Sequence, residues 1–392
     1  MNNKAIIILS AAIVLVLAIG AALLFWSGAP NVTEPESGGS FPVGGERNID
    51  GMPEPGGFSI EPSGKTADLT RIVSDAVAGA GVFRSESTST IRYIEKSTGH
   101  IYEVSPVGKE RERVTNTTIL KVFKSLWSPS GERVVVEYLE DGGLVPEAKI
   151  FSASINPISN SLEGVFLPSS ATSVAVSPDQ DKIFYLSEKT GGTVGVVSDF
   201  ENKNGDVVFA TPFGEFGAKW ATPGKISLLT KPSASAKGYL YFLSPKTGRF
   251  IKVLGGVKGL TASVSPDGKK VIYSQSAKKS FGAKLLNMTE GETSDFPLKT
   301  LPDKCVWGED SETVYCGVPK SLPPADYPDA WYQGTLSFDD SLWKADIATG
   351  ETTLVADDTG ADITNLFFGP NGNRLIFTNK KDDTLWSVNI AD

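Results

Sequence analysis

The sequence predicts an all-β protein, a β-propeller of seven four-stranded blades with six or eight as alternatives, preceded by one N-terminal transmembrane helix. Two observations predict the propeller. A proline-containing turn motif returns at intervals of about 45 residues, and strands rich in Tyr and Trp follow several of its copies. The helix is predicted by a long apolar run near the N-terminus.

The apolar run covers residues 5–26, and at about 1.5 Å per residue it is long enough to cross a bilayer as a helix. A cleavable signal peptide is the alternative, since small residues occupy 27–29, but its apolar core is usually shorter. Lys4 precedes the run and Glu34 follows it, so residues 1–4 are expected in the cytoplasm. We expect a single-pass anchor in the cytoplasmic membrane, with the rest of the chain on the periplasmic or cell-surface side.

Residues 27–66 are rich in Gly, Pro, Ser and Glu and contain few apolar side chains. Such a segment cannot bury enough apolar surface to offset the entropy of ordering it. We therefore expect a disordered linker over 27–66 and assign residues 67–392 to the propeller domain.

The repeated motif has its clearest copy at Ser265-Pro266-Asp267-Gly268. An apolar strand ends at Ser-Pro, the Asp-Gly pair takes the turn positions, and a β-branched strand returns, which is a β-hairpin. A second pair of strands follows, so each unit has the four strands of a propeller blade. The six copies are centred on Pro129, Pro178, Pro223, Pro266, Glu309 and Pro370, with a longer step before the last.

A seventh, degenerate blade is expected around residues 91–104, ahead of the first motif copy. The last blade has only three strands in the C-terminal part of the sequence. Residues 69–73 can supply the fourth, which pairs the two ends of the domain and removes an exposed sheet edge.

The motif, an apolar strand followed by Ser-Pro-Asp-Gly, a Lys-rich start and an aromatic strand, resembles the TolB-type, WD-repeat-like propeller repeat over roughly residues 80–392. The resemblance implies an extracytoplasmic propeller that binds other molecules, and it carries over no catalytic residue. The chain departs from TolB itself, because a linker stands where TolB has an N-terminal α/β domain.

The composition excludes several classes of function. A net charge of −9 and a pI near 5.0 argue against nucleic acid as a partner, since that affinity depends on clustered Lys and Arg. One His and two Cys rule out a His-rich or multi-Cys metal site. We expect no cofactor, no metal and no catalytic residue, and we interpret His100 as a residue at the start of a strand.

Cys305 and Cys316 flank a turn at Asp310 and Ser311 symmetrically. In an antiparallel hairpin the two would face each other at a distance that permits a disulfide. We expect a cross-strand disulfide, with two buried thiols as the alternative.

The longer last step comes from an insertion over residues 319–340, between the second and third strands of the sixth blade. In a propeller such a loop lies on the rim around one mouth of the central channel, and long loops often carry function. The alternative is that Trp331 and Tyr332 fold back as a packed loop. The candidate binding residues are Asp326, Tyr327, Asp329, Trp331, Tyr332, Asp339 and Asp340.

The predicted function is a binding or scaffold module that presents the propeller to a protein or glycan of the cell envelope, attached to the membrane through residues 5–26. We expect that it is not an enzyme. The alternatives are a carbohydrate-active enzyme that uses rim carboxylates, and a structural or sensor component of the envelope.

Overall fold

The computed structural model describes residues 68–85, 89–143 and 145–391. The predicted cytoplasmic terminus, membrane segment and linker lie outside these residues, and they stay predictions. Within the described part of the chain, no helix has both the length and the apolar character needed to cross a membrane.

The described residues form 28 strands and two short helices. The strands are β1 (Leu69–Val73), β2 (Val77–Arg84), β3 (Ser89–Glu95), β4 (Ile101–Val104), β5 (Glu112–Arg113), β6 (Val122–Trp127), β7 (Arg133–Glu140), β8 (Glu147–Asn156), β9 (Ser161–Phe166), β10 (Ala171–Val176), β11 (Lys182–Lys189), β12 (Gly192–Asp199), β13 (Asp206–Thr211), β14 (Phe216–Thr222), β15 (Lys225–Thr230), β16 (Lys237–Leu243), β17 (Phe250–Lys258), β18 (Ala262–Val264), β19 (Lys270–Ala277), β20 (Ser280–Asn287), β21 (Glu292–Asp295), β22 (Cys305–Trp307), β23 (Thr313–Pro319), β24 (Asp340–Asp346), β25 (Thr352–Ala356), β26 (Ile363–Phe368), β27 (Arg374–Asn379) and β28 (Leu385–Asn389). The helices are a 3₁₀ helix (Pro302–Lys304) and α1 (Asp329–Tyr332).

The strands form seven four-stranded antiparallel sheets, which confirms the seven-bladed propeller. Blades 1 to 6 are each built from four consecutive strands, beginning with β2–β5 and ending with β22–β25. Blade 7 combines β26, β27 and β28 with β1.

The predicted closure of the ring is confirmed. β1 pairs antiparallel with β28, and Leu69 lies opposite Val388. The side chain of Arg374 donates to the Ser387 hydroxyl at 2.6 Å and to the Asp68 carboxylate at 3.3 Å. The N-terminal strand therefore completes the last blade and covers the edge of β28.

The hairpin motif folds as its residues predict. The Ser265 hydroxyl donates to the Asp267 carboxylate at 2.6 Å and accepts from the Lys270 amide at 2.9 Å. Gly268 takes φ +68°, a left-handed conformation that glycine adopts without steric cost. These local bonds fix the turn between the first and second strands of the blade.

The hydrophobic core lies between neighbouring blades rather than in one central layer. Phe184 and Leu186 of β11, for example, pack with Trp220 and Leu228 of the next blade, and all four are buried. Fully burying one such side chain contributes about 1.5–3 kcal/mol. The ring is held together by repeated contacts of this kind.

The propeller has two faces. The hairpin face carries the turns between first and second strands, and the described chain begins on this face at Asp68, which contacts Arg374 at the start of β27. The rim face carries the loops between second and third strands and the connections from one blade to the next. The insertion after β23 lies on the rim face, as predicted.

Candidate functional site

The candidate site is a strap across the rim face, defined as residues 320–339 between β23 and β24. Pro323, Pro324 and Pro328 limit its regular structure to the four-residue helix α1, which follows Pro328 directly. The strap bonds to loops of blades 4, 5 and 7 in addition to its own blade 6. Contacts with these four blades therefore hold the strap in position on the rim face.

Aromatic side chains form the underside of the strap. Tyr327, Trp331 and Phe338 are 0 %, 3 % and 2 % exposed and pack with Phe281 and Leu301 beneath them. The rings of Tyr327 and Phe281 meet edge to face with centroids 5.0 Å apart, a favoured arrangement for aromatic pairs. The strap thus has a small hydrophobic core of its own.

A buried charge triad of Lys304, Asp340 and Asp362 lies beneath the strap, and none of the three side chains has exposed surface. The Lys304 ammonium lies 2.7 Å from Asp340 Oδ2 and also donates to Asp362 Oδ1. Asp362 Oδ2 accepts from the Trp331 indole N–H and from the Phe338 amide, both at 3.0 Å. The triad therefore ties the strap to the connection between blades 6 and 7.

The triad is unbalanced in charge and in hydrogen bonding. Asp340 Oδ2 accepts from Lys304 and from the Ile363 amide at 2.6 Å, whereas its buried Oδ1 has no hydrogen-bond partner. Burial raises the pKa of Asp340 to about 6, although Lys304 acts in the opposite direction. Burial also acts on Asp362, but Lys304 and the hydrogen bonds to this carboxylate outweigh it and lower the pKa of Asp362. Asp362 is the ionised partner of the pair.

Two strap carboxylates contact blades 4 and 5. Asp329 Oδ2 accepts from the Ala234 amide at 2.7 Å in the loop between β15 and β16. Asp326 pairs with Lys279 at 2.5 Å in the loop between β19 and β20, and both side chains are exposed. An exposed ion pair of this kind contributes less than about 1 kcal/mol, so Asp326 remains open to other partners.

The inner end of the strap contacts blades 6 and 7. The Tyr332 hydroxyl donates to the Asp303 carboxylate at 2.8 Å, and Asp303 also pairs with Lys219 of β14 at 3.2 Å. Lys380 donates to the Trp331 carbonyl at 2.8 Å and lies 5.1 Å from the Trp331 ring centroid. Tyr332 is 43 % exposed, so an aromatic ring stays accessible on the outer surface.

An open cleft of about 440 Å³ lies between the strap and the loop after β15. It combines two carboxylates with hydroxyl and amide groups, which suits a polar ligand that donates hydrogen bonds. The lining residues are Ala234, Ser235, Asp326, Asp329, Ala330, Gln333 and Thr335.

The structure divides the predicted binding residues into two sets. Asp326, Tyr332 and Asp339 are exposed and Asp329 is half-buried, while Tyr327, Trp331 and Asp340 are buried. The buried three cannot contact a partner while the strap is docked. The structure combines the two alternatives for the insertion. Trp331 is buried, as expected for a packed loop, and Tyr332 is exposed, as expected for a binding surface.

Two residues that hold the strap, Lys304 and Asp362, were absent from the predicted site. Lys304 stands at the end of the 3₁₀ helix just before β22, and Asp362 stands one residue before β26. Each occupies a connection between blades, where the sequence shows no periodic pattern. A charged residue directly before an inner strand is the one weak signal that could have indicated them.

The predicted disulfide between Cys305 and Cys316 is confirmed. The two residues are directly paired across β22 and β23, with Cα atoms 4.1 Å apart. Cys316 is fully buried. The bridge fixes the first hairpin of the blade that carries the strap.

Among the described residues no group of three or more His, Cys, Asp or Glu is arranged to hold a metal ion. The ring of His100 contacts the Thr118 hydroxyl at 3.1 Å on the rim face of blade 1.

No family model and no curated protein sequence matches the chain. Among solved structures it is similar to an oligogalacturonate lyase in complex with manganese, with a TM-score of 0.51 and 10% identity over 83% of this chain and 98% of that one. It is equally similar to the oligogalacturonate lyase of Vibrio parahaemolyticus, with a TM-score of 0.51 and 10% identity over 84% of this chain and 99% of that one. TolB from Acinetobacter baumannii gives a TM-score of 0.36 and 12% identity over 81% of this chain and 64% of that one.

These matches correct one expectation from the sequence, that the chain is not an enzyme. That inference depended in part on the lack of a second, catalytic domain. The matched region covers nearly all of both lyase chains, so a propeller of this size is sufficient for an enzyme. At 10% identity the similarity to the lyases shows a shared fold and nothing more. The seven four-stranded sheets show that this fold is a seven-bladed β-propeller.

Proposed function

We propose that the chain is a membrane-anchored, extracytoplasmic β-propeller that binds a protein or a glycan of the cell envelope with its rim face. The observation that carries the proposal is the construction of the strap. Its underside is fixed by buried aromatic rings and a charge triad, while its outer surface leaves Tyr332, Asp326 and a cleft of about 440 Å³ open. Exposed aromatic side chains on a fixed surface are frequent anchors of interfaces.

The position of the strap and the disulfide support the proposal. The described chain begins at Asp68 on the hairpin face, and the strap lies on the opposite, rim face. A disulfide such as Cys305–Cys316 persists mainly in oxidising compartments outside the cytoplasm. Both features suit a partner met on the outer side of the membrane.

Capture of a partner by the full-length protein from its own envelope, after crosslinking, tests the proposal. The double variant Tyr332→Ala with Asp326→Ala removes the exposed anchor and an open carboxylate, and we expect at least about a tenfold loss of capture. The matched control is Phe166→Ala, since Phe166 is 64 % exposed but lies on the outer strand β9. Equal capture by the wild type and the double variant would refute binding through the strap.

A second candidate is that the same cleft acts on an acidic oligosaccharide. The shared fold with two oligogalacturonate lyases favours it. The carboxylates of Asp326 and Asp329 in the cleft would require a cation between them and the acidic sugar, which is why the test includes manganese. The test is incubation of the full chain with oligogalacturonate, with and without manganese, followed by chromatography of the products. Cleavage that is lost in Asp329→Asn and kept in Asp339→Asn supports the candidate, and no cleavage by the wild type eliminates it.

A further inference from the structure

We propose that the strap is a pH-responsive element, which docks more tightly on the rim face in mildly acidic solution because the buried triad beneath it takes up one proton. The proposal concerns the strap itself and does not depend on the identity of any partner.

Two carboxylates and one ammonium are completely buried together, which leaves one negative charge in excess when all three are ionised. An uncompensated charge away from water is costly, and a buried carboxyl group avoids that cost by taking up a proton.

Asp362 accepts hydrogen bonds at both oxygens, from Lys304 on one side and from Trp331 and Phe338 on the other, so protonation would disturb it. Asp340 Oδ1 accepts none and is buried. The proton therefore belongs on Asp340, where it neutralises the triad and breaks no existing bond.

Within the described residues, Lys304 is the single cation in contact with the Asp340 carboxylate, and Asp362 is the anion that shares that cation. Asp339, next in the chain, is exposed. Lys320 pairs at the surface with Asp357 and Asp358, and Lys380 is bound to the Trp331 carbonyl, so neither compensates Asp340.

The sign and size of the effect follow from linkage between proton binding and docking. Burial raises the pKa of Asp340 from 3.8 to about 6 in the docked state. Trp331 and Phe338 of the strap lie over its partner Lys304, so we infer that undocking opens the triad to water. A group with the higher pKa in the docked state favours docking as the pH falls through that value. Between pH 7.5 and pH 5 the equilibrium constant for docking should rise about tenfold. The pKa of Asp362 is lowered, so Asp362 adds no opposing change in this range.

Hydrogen exchange of the full-length protein tests the proposal. The Phe338 amide, which bonds Asp362, reports the docked strap, and the Val314 amide in the buried strand β23 reports the propeller. After correction for intrinsic exchange, we expect protection of the Phe338 amide to rise about tenfold from pH 7.5 to pH 5, with no comparable rise at Val314.

Two variants sharpen the test. Asp340→Asn mimics the protonated group and should remove the pH dependence, with strong protection at both pH values. Asp339→Asn, its exposed neighbour, should behave like the wild type. A flat or falling protection of the wild-type Phe338 amide overturns the proposal, and this readout decides the question even if Asp340→Asn does not fold.

Discussion

Replacement of Trp331 by Ala should detach the strap while the seven blades stay folded. Trp331 is 3 % exposed, and its indole N–H donates to Asp362. Truncating a buried Trp to Ala costs about 3–5 kcal/mol. Withdrawing a hydrogen bond from a charged partner costs about 1.5–3 kcal/mol. Because the two terms overlap, we expect the docking free energy of the strap to fall by about 4–6 kcal/mol.

The loss should stay local, because the strap contributes no strand to any of the seven sheets. Hydrogen exchange measured by mass spectrometry distinguishes detachment of the strap from unfolding of the blades. Peptides within residues 320–339 should lose protection in Trp331→Ala, while peptides from the blades should keep it. Phe166→Ala is the control, since it removes a ring that is 64 % exposed on the outer strand β9 and should change docking of the strap by less than about 1 kcal/mol. Wild-type protection of the strap in Trp331→Ala would refute the reasoning, as would equal losses in the two variants.

The remaining predictions concern the stability of the ring. The double variant Cys305→Ser with Cys316→Ser should unfold in urea with a free energy lower by up to about 3 kcal/mol, because the bridge restricts the unfolded chain. Reduced wild type should match it, and an unchanged transition midpoint would contradict the estimate. Ile72→Asp places a charge in the buried part of β1 and should lower the free energy of unfolding by more than about 3 kcal/mol. The control Arg71→Ala, at an exposed position of the same strand, should cost less than about 1 kcal/mol, and equal thermal midpoints for the two variants would argue against closure by β1.

The fold could be predicted because its determinants are local and repeated. The turn chemistry of Ser265, Asp267 and Gly268 is contained within a few residues, and its recurrence reveals the blade. Closure by β1 could be predicted because a sheet left one strand short has an edge that must be covered.

The location of the site could be predicted from the sequence, but the contacts that hold the strap in place could not. Residues 319–340 interrupt a regular repeat, so the insertion and its rim location are visible in the sequence. Lys304, Asp340 and Asp362 meet only because three separate connections converge on the rim face, and no periodicity connects them. Trp331 and Tyr332 are adjacent in the short helix α1, where the next residue is rotated by about 100°, so one faces inward and the other outward.

The pairing of β1 with β28 also constrains how the protein folds. Leu69 and Val388, which face each other in blade 7, are separated by 319 residues (388 − 69) in the chain. Contacts of such long range form late, because the intervening chain must be ordered before they become favourable. Of the 28 strands in the described part of the chain, β1 emerges first during synthesis and its partner β28 emerges last. Until then β1 has no partner strand, and its backbone can bind another chain. A nascent chain of this protein therefore carries β1 without its partner strand through most of its synthesis, and the last described strand to appear supplies that partner.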